Sequence, residues 1–414
     1  MSGAWLLIVM LAAAAFGALV TDGRAGARPG LPSGAEWLIV GFGLGPNALG
    51  VFSGETVREF QPLVVAGLAW VTLSLGVDFG WVGERRLPWG GMLRGALLAA
   101  LCAAAVWAAL WALGQTWPRW VGANWSALTF AVVVIACETT PQAAAWFAER
   151  NGARGPLLDR ISEVADADVV VPLGLLTVLL ARHAPGPILP GSWWTGIPVT
   201  LGLGIGLGLV AAALLRRMHG QGETWSVLLG ASLLVMGITQ GLGLSALSCT
   251  FFMGLTLMAA SGRHQELRRL MSRSERPVLL PILLVGGASV ELAHIRRPVL
   301  IALAVALLVR FVVRAVSGYA VAGRAARARG AAVPSGLSLL ASGSLTMSLG
   351  LYAYLTLSEQ LGAAALVGAI AFTLLGEVIA PPSLRRALVL AGELPQPSEG
   401  GRVEVTRSVR ESDS

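Results

Sequence analysis

Apolar runs of 15 to 27 residues recur along the whole chain, broken by short polar, Pro/Gly-rich or arginine-rich stretches. They predict thirteen helical spans near 4–20, 37–51, 61–81, 90–113, 125–148, 156–182, 194–215, 225–239, 244–260, 278–293, 298–322, 336–357 and 361–381. A bilayer core is crossed by about 20 apolar helical residues. Strand-period alternation is absent, which argues against a β-barrel. The pattern is that of an all-α polytopic membrane protein. An odd number of spans divides naturally into six, one linker and six more, the arrangement of an inverted repeat with broken crossing helices.

The pattern is violated most sharply inside the sixth span, where Ser162-Glu163-Val164-Ala165-Asp166-Ala167-Asp168 interrupts an apolar stretch. At 1.5 Å per residue, Asp168 falls about 18 Å from Pro156 and about 21 Å from Arg182, near mid-membrane. An ionised carboxylate there costs roughly 2.5 kcal/mol or more and marks an ion or proton pathway by default. On an ideal helix Glu163 and Asp166 share a face, while Asp168 points about 140° away from Glu163.

Two further spans are broken. Glu138-Thr139-Thr140-Pro141 interrupts span 5, where proline removes a donor and threonine hydroxyls sit beside the freed carbonyls. Glu138, Thr139, Thr140 and Asp168 are therefore the candidate oxygen ligands of a transported cation. Ser342-Gly343-Ser344-Leu345-Thr346 interrupts span 12 at the corresponding position of the second half. Span 11 carries Arg310 and Arg314, four apart and on one face. A buried arginine requires a carboxylate, and Glu163 with Arg314 is the expected structural ion pair. Asp166 is expected to help balance the arginines. Arg94, near the end of span 4, is expected to snorkel to the interface.

Composition agrees with this picture: 55% of residues are hydrophobic and 13% charged, and the mean hydropathy is +0.71. All 30 basic residues are arginine, so no basic side chain can carry a proton. With Arg160 and Arg182, near the ends of span 6, assigned to the loops beside them, twenty-two arginines follow odd-numbered spans or lie in the C-terminal tail, five follow even-numbered spans and three (Arg94, Arg310 and Arg314) lie within spans. This asymmetry predicts an inner-membrane protein with its N-terminus outside and its C-terminus in the cytoplasm, and it explains the net charge of +7 without a nucleic-acid partner. Residues 1–20 lack the basic start of a signal peptide and are read as the first span. The Gly202–Gly208 run lies inside a span with no strand before it, so helix packing is preferred over a nucleotide loop. Cys102, Cys137 and Cys249 are read as packing residues. Residues 393–414 read as a disordered cytoplasmic tail.

From Trp37 to Leu388 the chain resembles the cation:proton antiporter superfamily, nearest its Kef-type and NapA-like branch. Residues 37–52 (WLIVGFGLGPNALGVF) resemble that family's second span, residues 242–257 (LGLSALSCTFFMGLTL) its ninth, and Cys137 to Arg160 with the following acidic span its broken helix and aspartate helix. The resemblance implies a homodimer with a scaffold domain (spans 1–3 and 8–10) and a core domain (spans 4–6 and 11–13), joined by span 7. It also implies that Asp168 carries cation and proton alternately. Ala167 stands where the family usually has Asn or Asp, and Ser342-Gly343-Ser344 replaces a stretch that is often charged. Glu163, five positions before Asp168, resembles the glutamate that electroneutral relatives pair with an arginine.

The residues predict a secondary transporter, not an enzyme, that exchanges Na⁺ or K⁺ for H⁺ without a cofactor. With one titratable carrier and no lysine, one-for-one exchange is expected. Three other readings stay open at this stage: a sodium-coupled carrier of organic anions, a K⁺ efflux component, and a degenerate exchanger retained as a membrane sensor or scaffold.

Overall fold

A computed structural model describes residues 8–13, 15, 35–46, 48–52, 59–82, 85–86, 88–117, 124–183, 193–217, 220–290 and 297–394. Most of the first predicted span, residues 395–414 of the tail and part of the Gly-Pro stretch of span 2 lie outside the described residues. Apart from a two-residue antiparallel ribbon, β1 (Trp81–Val82) with β2 (Arg85–Arg86), the described elements are helices.

The helices follow the predicted spans closely. In chain order they are α1 (Ala35–Leu44), α2 (Gln61–Asp78), α3 (Trp89–Thr116), α4 (Trp125–Ala136), α5 (Pro141–Asn151), α6 (Pro156–Ala167), α7 (Val170–His183), α8 (Trp193–Arg217), α9 (Gln221–Leu242), α10 (Ala246–Ser261), α11 (His264–Ala288), α12 (Arg297–Val321), α13 (Arg324–Ala328), α14 (Ala332–Ser338), α15 (Ser344–Thr356) and α16 (Glu359–Ala391). Taking α4–α5 and α6–α7 as single crossings, eight are long and apolar enough to span a membrane among the described residues. Helix α11 begins fourteen residues before predicted span 10, because the arginine-rich stretch 268–276 is helical too. Its apolar half starts after Pro277.

Burial shows which helices face lipid. Leu93, Leu97 and Leu101 on α3, Leu209 and Leu214 on α8, Leu229 and Leu233 on α9, and Leu308, Val312 and Val316 on α12 all point outward and are exposed. Buried polar residues, including Asp168, Arg310, Arg314, Thr139 and Thr346, cluster inside instead. An apolar exterior around a polar centre is the inverse of a water-soluble domain and suits a bilayer.

Small residues bring the helices together, since lipid offers no hydrophobic force to do so. Glycines approach reciprocally across three contacts: Gly41 with Gly287 (α1–α11), Gly76 with Gly254 (α2–α10) and Gly318 with Gly336 (α12–α14). In each, an added Cβ would sit 1.9–2.5 Å from the partner helix's backbone oxygen. Gly204 and Gly208 likewise let α8 lie against α10, so the glycine run is a packing surface. The three cysteines are buried and free.

Candidate ion site

Two interrupted helices meet at the molecular centre, and proline chemistry explains the first break. Pro141 opens α5 and has no N–H, so the Cys137 carbonyl four residues earlier loses its helical donor. Residues 138–140 leave the helix, with Thr140 extended, and are buried between α4 and α5. The second break, residues 339–343, separates α14 from α15. The two breaks touch directly: Thr140 N–H donates to the Ala341 carbonyl at 2.9 Å, and the Thr139 hydroxyl donates to the Leu339 carbonyl at 2.8 Å. Gly343 makes the approach possible, because a Cβ there would lie 2.6 Å from Thr140 Oγ1.

Helix α12 supplies the remaining donors. Arg310 donates to the Glu138 carbonyl (2.7 Å), the Ser342 hydroxyl oxygen (2.7 Å) and the Leu340 carbonyl (3.3 Å). Arg314 donates to the Cys137 carbonyl orphaned by Pro141, and to Asp168 Oδ2 at 3.1 Å. Both guanidiniums are fully buried, Arg310 over the Phe372 ring at 5.3 Å. One face of α12 thus satisfies carbonyls from both breaks, and the opposite face meets lipid. In hydrocarbon each unsatisfied carbonyl would cost several kcal/mol.

Asp168 sits at a third irregularity. Pro172 removes the donor for the Asp168 carbonyl, which accepts instead from Val171 N–H at 3.2 Å, and α6 gives way to α7. The Asp168 side chain is 0% exposed and bridges two elements. Its Oδ1 accepts from Thr139 N–H at 3.1 Å and its Oδ2 from Arg314. Glu138 is buried beside it, with its carboxylate bound by the Thr346 hydroxyl of α15. The centre therefore holds two carboxylates, two guanidiniums and the hydroxyls of Thr139, Thr140, Ser342 and Thr346.

Solvent cavities approach from opposite ends of α2. One of about 510 Å³ lies near Gln61, Gln240 and Tyr352, and one of about 560 Å³ near Asp78, His264 and Arg268. Asp168 is closed to both. Among the described residues no three His, Cys, Asp or Glu side chains converge as a tight metal centre.

The sequence profile described as "Sodium/hydrogen exchanger, transmembrane" matches residues 11–385. The chain belongs to the sodium/hydrogen exchanger family. That family consists of transporters, and its membership of the cation:proton antiporter superfamily agrees with the resemblance read from residues 37–388. Two structures of the sodium proton antiporter MjNhaP1 from Methanocaldococcus jannaschii share the fold. The first, determined at pH 8, is 14% identical with a TM-score of 0.67, covering 95% of this chain and 99% of that one. The second, an electron-microscopy map, is 15% identical with a TM-score of 0.65, covering 96% and 100%. No curated protein sequence matches.

Two expectations about this exchanger-family site need correction. Glu163 does not reach Arg314. It lies 3.8 Å from Arg94 of α3, partly in solvent, because the 140° between Glu163 and Asp168 turns it away from α12. Arg314 takes Asp168 instead. Arg94 is exposed near the start of α3, as expected, and also donates to the Gly90 carbonyl (2.9 Å). Asp166 balances neither central arginine and accepts from Gly80 N–H at 2.9 Å, at the end of α2. Ala167 has a packing reason: it meets Gly95 of α3, where a Cβ would lie 2.6 Å from the Ala167 methyl. The roles of Thr346 as partner of Glu138 and of the 339–341 carbonyls were not read from sequence. The symmetric position of the Ser342–Thr346 stretch was the only signal available.

Proposed function

We propose that this protein exchanges Na⁺ or K⁺ for H⁺, one for one, by alternating access, with Asp168 as the carrier. The observation that carries this reading is the placement of one fully buried carboxylate between a backbone N–H of one broken helix and the guanidinium of Arg314. Asp168 Oδ2 can hold Arg314, a proton or a cation, but not all at once. In the empty site Arg314 pins Asp168, and with it α6 and α12, to the crossing. Either ligand releases that pair, and Arg314 keeps the Cys137 carbonyl. The cation is completed by oxygens of Thr139, Thr140 and Glu138.

Both loaded forms add a single positive charge to the empty site. Arginine cannot lose its proton, so Arg314 does not contribute a second proton to the cycle. Exchange of one cation for one proton then moves no net charge. The remaining features of the reading are a thirteen-span inverted repeat, a scaffold of spans 1–3 and 8–10 around a moving core of spans 4–6 and 11–13, and a homodimer in the cell membrane. The arginine asymmetry supports an external N-terminus and a cytoplasmic C-terminus.

Purified protein in liposomes carrying an internal pH dye tests the reading directly. Addition of Na⁺, K⁺ and Li⁺ in turn is expected to move protons for at least one cation. The rate should stay unchanged when membrane potential is clamped with valinomycin, using a test cation that valinomycin does not carry. A rate that rises several-fold with potential overturns one-for-one exchange.

A further inference from the structure

Helix α6 carries Asp168 at its end, yet its beginning has no cap of its own. The N-cap residue is Gly155, without a side chain, and Pro156 has no N–H. Asp159 N–H returns to the Gly155 carbonyl (3.1 Å), which leaves the N–H groups of Leu157 and Leu158. Both are taken by one carboxylate from 236 residues along the chain: Glu393 Oε1 accepts from Leu157 N–H at 2.6 Å and Oε2 from Leu158 N–H at 3.0 Å. The space a Gly155 side chain would need is filled by this carboxylate, 2.2–2.5 Å from the ideal Cβ. Gly155 is therefore required for room, since its backbone is extended.

Glu393, read from the sequence as the first residue of a disordered tail, is itself held in place. Gly392, left-handed at φ +79°, closes α16, and Glu393 N–H turns back to the Leu388 carbonyl at 2.8 Å. Arg329 donates to the Ala391 carbonyl at 3.0 Å. Further up, α16 seats the second broken segment: Phe372 lies under Arg310, and a Cβ on Gly376 would sit 2.5 Å from the Leu340 carbonyl oxygen. A closed mechanical loop results. It runs from the start of α6 through Glu393 and α16 to residues 340–342, across from the Ala341 carbonyl to Thr140 and its neighbour Thr139, and back to Asp168 at the end of α6.

We propose that Glu393 is a positioning residue for the carrier: it clamps the start of α6 to the end of α16 and so sets where Asp168 stands against Thr139 and Arg314. The inference rests on the carrier role of Asp168 given above. A twelve-residue helix is about 18 Å long and stiff, so release at one end displaces the other.

The test measures half-saturating cation concentration in liposomes, with whichever of Na⁺, K⁺ and Li⁺ drives the wild-type protein, together with the melting temperature. Glu393→Ala is expected to raise half-saturation at least threefold and to lower the melting temperature. Glu393→Gln, which keeps one acceptor oxygen, should fall between it and wild type, and it carries the test if the alanine variant does not fold. Adding Gly155→Asp to Glu393→Ala supplies a local cap in the vacated space. This double variant should regain melting temperature but not half-saturation, because the link to α16 stays cut. Unchanged half-saturation in the Glu393 variants, or its full recovery by the local cap, overturns the proposal. Asp168→Asn, run alongside, separates the two readings: exchange that persists there defeats the carrier role itself.

Discussion

At the first central interruption, residues 137–140, the chain brings functional side chains: the Glu138 carboxylate, the Thr139 hydroxyl and, through the Thr139 N–H, the hold on Asp168. At the second, residues 339–343, it brings chiefly the carbonyls of Leu339, Leu340 and Ala341 and a glycine that leaves room for Thr140. The two interruptions have divided their labour, one towards ligand chemistry and the other towards support. The arginines of α12 serve both, which makes them the joint of the crossing. The two buried guanidiniums are held by bonds to the Cys137, Glu138 and Leu340 carbonyls, the Ser342 hydroxyl and the Asp168 carboxylate, and each keeps two further nitrogens, Nε and Nη1, without a partner among the described residues.

The largest effect is expected at that joint. Arg310→Ala strips donors from Glu138, Leu340 and Ser342 together, and a fully buried site should lose about 3–5 kcal/mol, read as failure to purify or a much lower melting temperature. Arg314→Gln should destabilise too, because Asp168 is left charged and unpaired, and adding Asp168→Asn should recover part of that loss. A stable Arg310→Ala protein would show that the two breaks support themselves.

The supporting segment can be probed by size alone. Gly343→Ala places a methyl 2.6 Å from Thr140 Oγ1 and should cost about 1–3 kcal/mol while slowing exchange. Gly202→Ala on α8 meets nothing within 4 Å and should leave the exchange rate and the melting temperature near wild type. Equal behaviour of the two would mean the crossing is not tightly packed.

The smallest effect belongs to Glu163. Its contact with Arg94 is 3.8 Å and partly solvated, so Glu163→Gln should change stability by under about 1 kcal/mol in a melting experiment. A loss as large as that of Arg314→Gln would restore Glu163 to the central network.

Much of the fold was legible because a bilayer admits few solutions: apolar length gave the helices, arginine asymmetry the expected sidedness, and Pro141 the first break. Partners were harder to read. The Glu163–Arg314 pairing rested on a need for charge balance, yet on one helix a five-residue offset puts Glu163 and Asp168 on different faces, and sequence could not say which face α12 meets. Asp166 shows the same limit, since its partner is a backbone N–H at Gly80, which carries no sequence signature. Ala167 looked like a departure from the resemblance and proves to be a packing contact with Gly95, 72 residues away. Contacts made by backbone groups or by absent side chains leave little trace in a single sequence, and this crossing is built largely from both.

The central claim is that Asp168 alternates between proton and cation. Asp168→Asn keeps the size of the side chain and removes its titration, and the amide oxygen can still accept from Thr139 N–H or Arg314. In liposomes with an internal pH dye, this variant is expected to show no cation-driven proton movement while eluting as a folded protein. Exchange at the wild-type rate in the folded variant would contradict the account and move the carrier to Glu138 or Asp166.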